Sequence, residues 1–165
     1  MGSSYSFDIV SEINMQEADN AVNQALKEIR TRYDFKGSKS SLELKRDEKK
    51  LLIVADDELK LRNLHDILKT RMAARGISPK ALDFKTAEKA FEGTLRQEVE
   101  LKHGLAQEAA KLITARIKQN HKDAQPSIQG EKIRITSKSK DALQAVIQDL
   151  RANPPEVALQ FTNFK

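Results

Sequence analysis

The spacing of apolar residues along this chain switches between helical and extended periods in an order that occurs twice, and this constrains the fold more than any single motif. Four helical patterns recur. The first places Ala18, Ala21, Val22, Ala25, Leu26 and Ile29 on one face behind an Asn14/Glu17 capping box. The second runs from a cap at Asp56 or Asp57 through Leu61, Leu64, Ile67, Leu68 and Met72 to Gly76, placed to end it with a positive φ. The third uses Leu105, Ala109, Leu112, Ile113 and Ile117. The fourth starts at Ser139, uses Ala142, Leu143, Val146, Ile147 and Leu150, and stops before Pro154 and Pro155.

Extended patterns fill the gaps. Phe7, Ile9 and Ile13 share one face, as do Leu42 and Leu44, and "LLIVA" at 51–55 reads as a more fully buried strand. The longest alternation, "FEGTLRQEVEL", puts Phe91, Leu95, Val99 and Leu101 on one side and Glu92, Arg96, Glu98 and Glu100 on the other. That pattern predicts an antiparallel strand with one wet side. Ile128, Ile133 with Ile135, and Val157, Leu159 with Phe161 complete the set. The order is β-α-β-β-α-β over about 5–86 and again over about 90–163. It predicts an α+β protein of two units, 1–88 and 89–165. Each is a split β-α-β ferredoxin-like motif with two helices on one face of a four-stranded antiparallel sheet and the other face open to ligands.

Composition narrows the chemistry. The 165 residues include no cysteine, which removes disulfides, thiolate nucleophiles and Cys-based metal centres and fits a cytoplasmic protein. No apolar run approaches the roughly 20 residues that span a bilayer. "MGSSYS" satisfies the loose myristoylation pattern at Gly2, but a strand pattern begins at once. His65, His103 and His121 have no metal-ligand spacing, so no metal or cofactor is expected. "GSKSS" lacks the first glycine of a P-loop and lies between helix and strand in the wrong order. With no Gly-x-Ser-x-Gly motif either, catalysis is not expected. An RNA-recognition motif would place stacking aromatics on its third strand, yet "LLIVA" and "KIRIT" carry none.

The basic residues are unevenly spread. Residues 1–88 hold 16 Lys/Arg and 15 Asp/Glu, residues 89–165 hold 13 and 9, so the net charges are +1 and +4. Two segments stand out. In "RYDFKGSKSS", alternation sends Tyr33 and Phe35 to one side while Gly37 supplies a turn. On one reading both rings are core and the segment is only a turn. On the other, Arg32, Lys36 and Lys39 surround an anion that also meets Ser38, Ser40 and backbone N–H groups. In "KIRITSKSK", Lys132 and Arg134 alternate with Ile133 and Ile135 and so face away from the core. Lys138 and Lys140 sit in a Ser/Lys loop at the next helix start, where a phosphate is favoured. A solvated strand face is the plain alternative there.

"SFDIVSEI", "RYDFKGSKSS", "LDFKTAEKA", "IQGEKIRITSKSKDALQAVI" and the final "LQFTNFK" together resemble the bacterial YajQ family over residues 5–165. The resemblance implies tandem ferredoxin-like, RNP-like domains that exchange N-terminal strands, so that residues 5–13 join the second sheet and 90–101 the first. It also implies a guanine nucleotide or nucleic acid as ligand. In some members it implies a cyclic di-GMP receptor acting with a LysR-type transcription regulator. Beside this non-enzymatic nucleotide-binding reading stand two others. One is a protein-interaction adaptor without its own nucleotide. The other is an acylphosphatase-type enzyme, for which no catalytic Arg/Asn pair can be placed.

Overall fold

The structure, a computed structural model, describes residues 4–165, so Gly2 and its myristoylation pattern lie outside the described residues. In chain order the elements are β1 (Tyr5–Val10), α1 (Met15–Thr31), β2 (Ser41–Lys45), β3 (Lys50–Ala55), α2 (Glu58–Ala74), β4 (Leu82–Phe84) and β5 (Glu88–Lys89). There follow β6 (Leu95–Leu101), α3 (Gln107–Asn120), β7 (Gln125–Gln129), β8 (Lys132–Ser137), α4 (Lys140–Ala152) and β9 (Gln160–Thr162). The fold is α+β, with four helices and two antiparallel sheets among the described residues.

Local chemistry sets the helix ends. Asn14 Oδ1 accepts from the N–H groups of Gln16 and Glu17 to open α1. Asp57, not Asp56, caps α2 by accepting from Lys60 N–H, and Gly76 leaves that helix at φ +79°. Ser139 Oγ accepts from Ala142 N–H to open α4. Helix α3 begins without such a side-chain cap and turns Ala110, Ile113 and Ile117 inward, while Leu112, expected on the same face, points to solvent.

The two compact units interleave in the sequence. One comprises the chain up to Glu12 together with His103–Lys165, the other Ile13–Lys102. The chain crosses between them at Glu12/Ile13 and again at Lys102/His103. In the first unit the strand order is β7-β8-β1-β9, with β1 central and antiparallel to both neighbours. Phe7 and Ile9 of β1 pack with Ile133 and Ile135 of β8 under Ile113 and Ile117 of α3 and Val146 and Ile147 of α4. In the second the order is β2-β3-β6-β4, with β6 central, and Leu51, Ile53 and Val99 pack under α1 and α2.

Two expectations change at the strand ends. β1 stops at Val10, and Ile13 is buried in the core of the 13–102 unit. The strand expected from 90 begins at Leu95. Residues Phe91–Gly93 form a tight turn in which Glu92 and Gly93 have φ of +53° and +77°, which no strand accommodates. The turn folds β5 back onto β6 and leaves Phe91 exposed.

Candidate functional site

In the unit containing β1, the face of the sheet away from the helices is organised by one carboxylate. Pleating sends Phe7 and Ile9 toward the helices and Asp8 the other way. There Asp8 lies opposite Arg134 on β8 and is only 3% exposed. Its oxygens accept from Arg134 Nε at 3.1 Å, Lys132 Nζ at 3.2 Å and Asn163 Nδ2 at 2.9 Å. Burial alone would raise the Asp8 pKa, but these donors outweigh it and lower the value to about 2. Lys132 and Arg134 do face away from the core, as alternation requires, and both are committed to Asp8.

"RYDFKGSKSS" lies in the other unit, and its two readings separate there. Tyr33–Phe35 is a tight helical turn, so Phe35 is buried while Tyr33 is 89% exposed. The expectation of two core rings therefore fails for Tyr33. A three-residue turn rotates successive side chains by about 120°, and the period-2 argument does not apply. Arg32 and Lys60 sit over the Phe35 ring at 5.5 and 5.0 Å. Gly37 turns the chain at φ +75°.

The anion facing this loop is the protein's own. Asp56 accepts from Ser38 Oγ, from Lys39 N–H at 2.9 Å and from Ser40 Oγ at 3.4 Å. Burial opposes ionisation of Asp56, yet these bonds hold its carboxyl below the usual range. Arg32 pairs with Asp34 at 2.9 Å and Glu28 at 3.4 Å, and Lys39 with Glu92 at 2.5 Å. Of the cations read from the motif, Lys36 alone carries no ion pair among the described residues.

Uncommitted lysines cluster elsewhere, at the end of the first unit where β1 and α4 begin. A groove of about 500 Å³ there is lined by Lys122, Asp123, Gln125, Thr136, Lys138 and Ser139, among others. Ser137, also in its wall, donates to the Asp123 carbonyl at 2.7 Å and accepts from Ser139 N–H at 3.0 Å, which fixes the loop leading into α4. Lys140, the next residue, lines a second cavity. Neither Lys122, Lys138 nor Lys140 has an ion pair among the described residues. The groove therefore offers two free ammonium groups and several hydroxyls to an anion, with Asp123 as an acceptor for N–H donors.

Over residues 5–165 the chain matches the family model described as nucleotide-binding protein YajQ-like. The chain belongs to this family. Relatives named "Nucleotide-binding protein" from Endomicrobium trichonymphae and Carboxydothermus hydrogenoformans are each 48% identical over 165 residues, covering 100% of both chains. One of the same name from Chloroherpeton thalassium is 45% identical over the same full length.

In this YajQ-like chain the sequence-derived residues divide into two groups. Arg32, Lys36, Ser38 and Lys39 belong to the 13–102 unit, and Lys132, Arg134, Lys138 and Lys140 to the other. Grouping by unit also redistributes charge. The unit holding β1 has 10 Lys/Arg against 8 Asp/Glu, a net of +2, and the other has 19 against 16, a net of +3. Neither unit is strongly basic, so the placement of free cations matters more than their number. Lys122 and Asp123 fall within a basic surplus over residues 103–140, but the sequence singles out neither as a site residue and gives no signal for Thr136; the β7–β8 pairing of Gln125 with Thr136 brings the three to the groove. Sequence reasoning missed Asp8, whose signal was a carboxylate inside the apolar run "SFDIV". Among the described residues no group of three or more His, Asp or Glu could hold a metal, and no helix is long and apolar enough to cross a membrane.

Proposed function

We propose that the protein is a cytoplasmic, non-enzymatic nucleotide-binding protein that takes a guanine nucleotide, cyclic di-GMP included, by its phosphates in the groove beside the start of α4. Lys122 and Lys138 supply the charge, Thr136 and Ser139 supply hydroxyls, and Lys140 flanks the same loop. The observation that carries this reading is the partition of the cations. Arg32, Lys39, Lys132 and Arg134 are held by carboxylates of the chain itself, whereas Lys122, Lys138 and Lys140 have no ion pair among the described residues and line cavities. An ammonium group already neutralised must break a pair to meet a phosphate, and a free one loses only hydration. Asp123 adds an acceptor for hydroxyl or N–H donors of the ligand near its phosphates.

Each unit is read as a ferredoxin-like, RNP-like domain. The support is that both sheets run in one order once β1 and β6 are taken as first strands of their units. A LysR-type transcription regulator as partner rests on the family resemblance. RNA or DNA is the second ligand class that a groove with free lysines admits.

Calorimetric titration of the purified chain with GTP, cyclic di-GMP and a short RNA tests the reading. Saturable binding is expected, weakened at least about tenfold in the Lys122→Ala, Lys138→Ala, Lys140→Ala variant, since charge-assisted contacts contribute about 1.5–3 kcal/mol each. Binding of RNA alone would transfer the groove to nucleic acid. No binding by the isolated chain would favour the adaptor.

A further inference from the structure

We infer that the second cavity beside α4 is a stacking subsite for the base of a purine nucleotide, with Phe164 as its platform. The inference rests on the nucleotide-binding reading and locates the part of the ligand that the phosphate groove does not hold.

The cavity, about 250 Å³, is lined by Tyr5, Lys140, Leu143, Ile147, Phe164 and Lys165, among others. Its apolar wall comes from the start of β1, one side of α4 and the segment after β9. Phe164 is placed there by the backbone. Asn163 adopts φ +56°, and Lys165 then exchanges both main-chain hydrogen bonds with Ser6, at 3.0 and 2.9 Å. This register lays the Phe164 ring on the fully buried Phe7, with centroids 5.7 Å apart and planes at 22°. Phe7 in turn meets Phe161 edge to face at 5.9 Å. One face of Phe164 thus rests on the core, and the side chain remains 58% exposed, with Tyr5 at 37% across the same cavity.

A single exposed aromatic is ordinary on a protein surface. Two aromatics and two aliphatic side chains lining one concavity, with free lysines at its rim, meet the description of a ligand site: an apolar body and a few polar groups. Lys140 and Lys165 have no side-chain ion pair among the described residues. The volume decides what fits. Pockets for drug-sized ligands begin near ~300 Å³, so this one takes a flat ring system and not a whole nucleotide. The sugar and phosphates must leave past Lys140, whose neighbour Ser139 lines the phosphate groove. Ser4 and Tyr5 divide between groove and cavity in the same way. Aromatic stacking accepts any base, so the cavity holds the purine without selecting it. The side-chain amide of Gln144, also in the lining, is the polar group that can meet the base edge.

The test uses the full chain, GTP and inorganic tripolyphosphate. Phe164→Leu keeps an apolar contact on Phe7 but removes the stacking face. It is expected to weaken GTP binding roughly 5- to 100-fold and to leave tripolyphosphate affinity and melting temperature unchanged. A second readout needs no mutation in the cavity. The chain has no tryptophan and two tyrosines, so Tyr33→Phe leaves Tyr5 as its one tyrosine, and GTP but not tripolyphosphate should change Tyr5 emission. GTP binding with wild-type affinity in Phe164→Leu and unaltered Tyr5 emission would overturn the subsite and leave the nucleotide-binding reading standing. Failure of the wild type to bind either GTP or cyclic di-GMP would overturn both.

Discussion

Replacing Asp8 by Asn should cost stability in a way that pH reports directly. The side chain keeps its shape, but the charge that holds Lys132, Arg134 and Asn163 is lost. The Asp8 pKa is lowered from 3.8 to about 2 in the folded protein. At about 1.4 kcal/mol per pKa unit, the ionised carboxylate stabilises the fold by roughly 2 kcal/mol at neutral pH. A depressed folded-state pKa makes this contribution fully present above the unfolded value, near 4. It is lost as pH falls from there through 2. Urea unfolding of wild type and Asp8→Asn at pH 7, 4, 3 and 2 is the assay. The difference should be about 2 kcal/mol at pH 7, begin to shrink below pH 4 and nearly vanish by pH 2. An equal penalty at pH 7 and pH 2 would mean that packing, and not the charge at the centre of the open face, is what Asp8 contributes.

Phe35→Ala removes a buried ring and is expected to cost about 3–5 kcal/mol, whereas Lys36→Ala with Lys39→Ala should stay within about 0.5 kcal/mol, as thermal or urea unfolding would show. Asp56→Ala leaves the loop hydroxyls and Lys39 N–H without their acceptor and should destabilise by about 1–3 kcal/mol. A loss within error would deny Asp56 its role in holding the loop. Asp149→Ala unties α3 from α4 by removing the acceptor for Arg116 at 2.6 Å and His121 at 2.9 Å. A similar loss of about 1–3 kcal/mol is expected, seen as a lower urea midpoint. Expressed alone, residues 103–165 lack the central strand of their sheet, since β1 lies between β8 and β9. Cooperative unfolding of that fragment at the wild-type midpoint would contradict this account of the sheet.

Much of the fold was legible because it follows from periodicity. Ala18 to Ile29, Leu61 to Met72 and Leu143 to Leu150 each place a buried stripe where 3.6-residue spacing puts it, and Asn14, Gly76 and Ser139 act at the predicted ends. Periodicity is silent where the backbone leaves the regular regions. Glu92 and Gly93 at positive φ ended the strand that Phe91 would have begun, and the turn at Tyr33–Phe35 parted two aromatics that alternation had joined. The site was less legible, because a free cation and a paired one look alike in sequence. Lys132 and Lys138 belong to one short basic segment, yet one is held by Asp8, 124 residues away in sequence, and the other faces a groove. Only the pairing of β1 with β8 makes that distinction.

The central claim, that the uncommitted lysines beside α4 receive the phosphates, is tested most directly by amide chemical-shift mapping of the labelled chain during titration with GTP. Shifts should concentrate at residues 4–6, 122–125, 136–147 and 164–165 and be absent from residues 32–41. Saturable GTP binding that perturbs 32–41 and leaves 122–125 and 136–144 unmoved would contradict it.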